Sequence, residues 1–96
     1  MKDHFECHIT IANPDLIKGA SRIELKEVAI NQGWKTSEIN GDPLLGDKLW
    51  FYFTKHSDSY ESLTIAMNTL ENYLYHKYGI VIMRKKIEQI LLDIRM

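Results

Sequence analysis

Apolar residues at every second position open the chain: Phe5, Cys7, Ile9 and Ile11 alternate with Glu6, His8, Thr10 and Ala12. That period belongs to a strand with one face in a core. After the turn signal Asn13-Pro14-Asp15 the spacing lengthens, and Leu25, Val28 and Ala29 share one helical face. Ser21 and Glu24 stand at capping-box spacing and Gly33 suits a C-terminal cap, so a helix is expected between them. A short strand over 34–40 and a stronger one over 48–56 follow, joined by the wide loop Gly-Asp-Pro-Leu-Leu-Gly-Asp at 41–47. A second helix is expected from a capping box of Asp58 with Glu61 to Gly79, with Leu63, Ala66, Met67, Leu70, Tyr73 and Leu74 on one face. The segment 80–95 fits both periods and is read as one long or kinked strand; a helix there is the alternative.

The order βαββαβ is the split βαβ of the ferredoxin-like fold, an α+β two-layer sandwich with both helices on one sheet face. Right-handed crossovers set the antiparallel strand order as 4-1-3-2 and leave the other sheet face open. Alternation then assigns that open face. From the first strand it takes His4, Glu6, His8 and Thr10; from the third it takes Trp50, Tyr52, Thr54 and His56, with Leu49, Phe51 and Phe53 directed at the helices.

With 96 residues and no low-complexity tract, residues 1–96 are expected to form a single domain. Twelve Lys and Arg against thirteen Asp and Glu give a net charge of -1, so no global field favours nucleic acid or an anionic membrane, and any basic site must be local. The lone Cys7 has no disulfide partner within the chain, and neither a signal-like segment nor an apolar run of membrane-spanning length is present. A cytoplasmic protein with no membrane association is the resulting expectation.

Aromatic rings on a flat sheet favour burial against a second copy. The first functional reading is therefore a homodimeric binding or accessory module that uses the open face for a small molecule or a protein partner. Glu6, Trp50, Tyr52, Thr54 and His56 are its candidate binding residues. RNA binding is the geometric alternative, because aromatics on central strands stack bases. Against it, Asp47-Lys48-Leu49-Trp50-Phe51-Tyr52-Phe53 lacks the Gly-aromatic-Gly/Ala-Phe pattern of RNA-recognition motifs. Arg84, Lys85 and Lys86 form the basic cluster; alternation scatters them over both faces, as solvated charges or partners of Glu88.

His8-Ile9-Thr10-Ile11 resembles one His-x-Thr-hydrophobic motif of the 2H phosphoesterases. The resemblance implies catalytic roles for His8, as acid or base, and Thr10, as a phosphate-oxygen ligand, in a phosphodiester-acting enzyme. A second such motif is missing, so two subunits would have to complete the site. The combination of Cys7-His8, Gly33-Trp34-Lys35, Gly41-Asp42-Pro43 and Lys86-Ile87-Glu88 also resembles a set of small uncharacterised bacterial and phage proteins, from which no activity follows. Metal and cofactor sites are not expected. His4 and His8 would lie about 13 Å apart on a strand, leaving only Glu6 with one histidine and help from His56 or another chain. His76 fits a helix-dipole role, and Cys7 fits a core thiol.

Overall fold

In a computed structural model, residues 4–12, 21–39 and 50–90 are described. They form β1 (His4–Ala12), α1 (Arg22–Gln32), β2 (Lys35–Ile39), β3 (Trp50–Ser57), α2 (Tyr60–Tyr78) and β4 (Arg84–Ile90). All three strand pairings are antiparallel, in the order β2-β3-β1-β4. This is the expected 4-1-3-2 order read from the other edge.

Alternation decides the core. Cys7, Ile9, Ile11, Phe51 and Phe53 turn to one face and are fully buried, against Leu25 and Ala29 of α1 and Leu63, Leu70 and Leu74 of α2. Packing of this apolar sheet face on two helical stripes removes these side chains from water and so drives folding.

The helix ends follow local chemistry. Ser21 Oγ accepts from the Glu24 amide at 3.2 Å, as the capping-box spacing requires. Gly33 takes φ +79°, and a Schellman pair closes α1: Gly33 N to Ile30 O and Trp34 N to Ala29 O. Lys55 Nζ donates to the Gln32 carbonyl at 2.8 Å, placing a cation at the negative end of that helix. The start of α2 lies one residue beyond the expected capping box: Ser59, not Asp58, is the N-cap, and its Oγ accepts from the Ser62 amide at 3.1 Å.

At the C-terminal side the structure shortens the expected strand. Ile80 is buried against the core cluster and residues 80–83 are not strand, so β4 begins at Arg84. Residues beyond 90, the 41–47 loop and Leu49 lie outside the described residues. Among the described residues no helix is long and apolar enough to cross a membrane.

Candidate functional site

Directly opposed residues of antiparallel strands project to the same face, so the register writes out the open face in rows. One row holds Lys86, His8, Thr54 and Lys35; the next holds Arg84, Thr10, Tyr52 and Ser37. On the other side of the His8 row stand Glu88, Glu6 and His56. Lys85 opposes Ile9 on the helix side and pairs with Glu71 of α2 at 2.9 Å. The basic cluster is thus divided between faces as alternation requires, and two of its three cations share a face with His8.

His8 is the centre of a polar chain. Its Nε2 lies 3.2 Å from Glu6 Oε1 and its Nδ1 3.2 Å from Thr54 Oγ1. An ionised carboxylate only accepts, so Nε2 carries the hydrogen; in the neutral ring Nδ1 is then the acceptor and the Thr54 hydroxyl donates. Glu6 Oε1 is also 3.7 Å from His56 Nε2, and His56 Nδ1 is 3.0 Å from His4 Nε2, their rings stacked at 5.1 Å. Among the described residues, no group of three or more His, Cys, Asp or Glu side chains is arranged to hold a metal ion.

The basic side is less self-satisfied. Lys86 Nζ sits 2.6 Å from Glu88 Oε1, and that hydrogen bond and charge hold the Glu88 carboxyl below its ordinary pKa. Arg84 makes no salt bridge among the described residues, and its charge is felt at Glu88 only through space. Thr10 is buried to 8% exposure on this open face, and its carbonyl accepts from the Met83 amide at 2.9 Å.

Two concavities meet there. One, of about 130 Å³, is lined by His8, Thr10, Tyr52, Arg84 and Lys86. The second, of about 240 Å³, is lined by Thr10, Trp50, Tyr52, Met83 and Arg84. Trp50 falls on the open face by register yet is only 8% exposed and stands apart from the helix-side core. Its indole Nε1 is buried without a hydrogen-bond partner.

The sequence-assigned residues therefore divide. Glu6, His8, Thr54 and His56 meet through their side chains, while Thr10, Tyr52 and Trp50 line the concavities. The hydroxyl bonded to His8 belongs to Thr54 across the strand pair, whereas Thr10 lies in the Arg84 row. Arg84, Lys86 and Met83 join the site from β4 and the segment before it. Alternation alone was the signal for the two cations, and it acquires meaning only with the β1–β4 register. Compared with known proteins, the chain matches no family model, no curated protein and no solved structure.

Proposed function

We propose that the open sheet face binds a small ligand through a phosphate group, held by Arg84 and Lys86 with His8, Thr10 and Tyr52 around it. The observation that carries this reading is Arg84: a guanidinium lining both concavities with no salt bridge among the described residues. A guanidinium fork beside an ammonium and two hydroxyls offers donors in several directions, which suits a tetrahedral oxyanion better than a flat carboxylate. We assign the architecture to the ferredoxin-like plan and the protein to the cytoplasm. One chain supplies every residue of the site.

Titration with inorganic phosphate at constant ionic strength, followed by amide and imidazole NMR signals, tests this reading. Saturable shifts confined to His8, Thr10, Tyr52, Arg84 and Lys86 are expected. Shifts spread over every exposed Lys and Arg, or none, would overturn it.

A second reading has its own support in the row Glu6, His8, Thr54: carboxylate, imidazole and hydroxyl in the order that activates a nucleophile or a water. In it the protein acts on phosphodiesters, as the resemblance to 2H phosphoesterases suggests, with His8 exchanging the proton and Glu6 orienting the ring. A chromogenic phosphodiester separates the two. Turnover abolished by His8→Gln supports the enzyme; phosphate binding with no turnover above the uncatalysed rate leaves a binding module.

A further inference from the structure

We infer that the phosphate-bearing ligand is a nucleoside monophosphate, its base seated in the larger concavity between Trp50, Tyr52 and Met83. The inference rests on the phosphate site proposed above and extends it along the sheet. The two concavities share Thr10, Tyr52 and Arg84, so they form one continuous depression with a cationic end and an apolar end. Along β1 the Arg84 row and the Trp50 row are separated by two residues, about 7 Å, within reach of a pentose linker. The apolar end offers the half-buried Tyr52 ring and the exposed Met83 thioether, with Trp50 also lining it, and a flat heterocycle packs on such surfaces.

Trp50 decides what kind of ring it is. Its Nε1 donor is buried without a partner, and a ligand whose in-plane acceptor draws the indole into the concavity it lines would satisfy that donor. Purines and pyrimidines carry such acceptors, whereas a plain hydrocarbon ring would leave the donor unpaired. The cationic end limits the ligand's length. Beyond His8 the face turns acidic at Glu6 and Glu88, which repels a continuing phosphate backbone. One terminal phosphate fits, and a polynucleotide strand does not.

Calorimetric titration of the full chain at fixed ionic strength, with inorganic phosphate, ribose 5-phosphate, adenosine 5′-monophosphate and uridine 5′-monophosphate, tests the inference. At least one nucleotide should bind tenfold or more tighter than ribose 5-phosphate. Trp50→Phe, which keeps a ring but removes the donor, should weaken that nucleotide several-fold and leave inorganic phosphate unchanged. Met83→Ala, at a position 57% exposed and outside the core, should do the same without endangering the fold. Equal affinity for all four probes would overturn the nucleotide inference while the phosphate site stands. Binding by none would overturn both, and affinity rising with length in a series of oligonucleotides would overturn the restriction to one phosphate.

Discussion

Cys7 and His8 are neighbours in sequence with opposite surroundings, because alternation turns the thiol into the helix layer and the imidazole onto the open face. Burial leaves Cys7 0% exposed and pushes its pKa from 9.0 to about 11. The reactive species is the thiolate, so Cys7 should resist a thiol reagent at pH 8 in the native protein and react once denatured. The folded state holds that proton more tightly than the unfolded chain. Its stabilising effect is therefore complete below pH 9 and lost as pH rises toward 11. Tyr78, raised chiefly by burial, acts with the same sign. The denaturant midpoint should fall between pH 9 and 11, and a constant midpoint would contradict this. Phe51→Ala, removing a fully buried ring, should cost about 3–5 kcal/mol in denaturant unfolding. The side of the sheet taken by Cys7, His8 and Phe51 was legible from alternation alone. Burial of Trp50 and Thr10 on the face that reads as exposed was not, since a period of two reports which face a residue takes and not what lies over it.

The elements show where local signals suffice and where they compete. At α1 one capping spacing exists, Ser21 with Glu24, and the helix begins there. At α2 two adjacent residues, Asp58 and Ser59, both precede the apolar stripe, and the structure selects Ser59. Ser59→Ala should therefore lower stability by about 1 kcal/mol, whereas Asp58→Ala should change it by a few tenths. Equal effects in thermal unfolding would contradict the assignment. Gly79, at φ +69°, ends α2 in a conformation that side chains disfavour, so Gly79→Ala should cost about 1 kcal/mol, although its added methyl meets nothing within 4 Å. The apolar run at 80–83 reads as strand, but Ile80 belongs to the packing that closes α2. Tertiary contact there outweighs β propensity.

Across the whole molecule, a net charge of -1 conceals a separation of charge on one sheet face. Arg84 and Lys86 stand at one end, and Glu6 and Glu88 stand beyond them. Composition averages such a pattern away; register reveals it, because His8 meets Lys86 and Thr10 meets Arg84 only in the folded sheet. The candidate site was for this reason half legible: its β1 and β3 rows follow from alternation, while its cations needed the β1–β4 pairing. Phosphate affinity should accordingly fall as salt rises, since the site is partly exposed and screened. The central claim, that Arg84 and Lys86 bind phosphate while Lys85 faces the helices, is tested most directly by alanine substitution at these three consecutive positions with calorimetry of phosphate binding. Arg84→Ala and Lys86→Ala should each weaken binding about tenfold or more, as loss of a charge-assisted hydrogen bond does, with Lys85→Ala unchanged. Equal loss from all three, or loss from Lys85→Ala alone, would contradict the account.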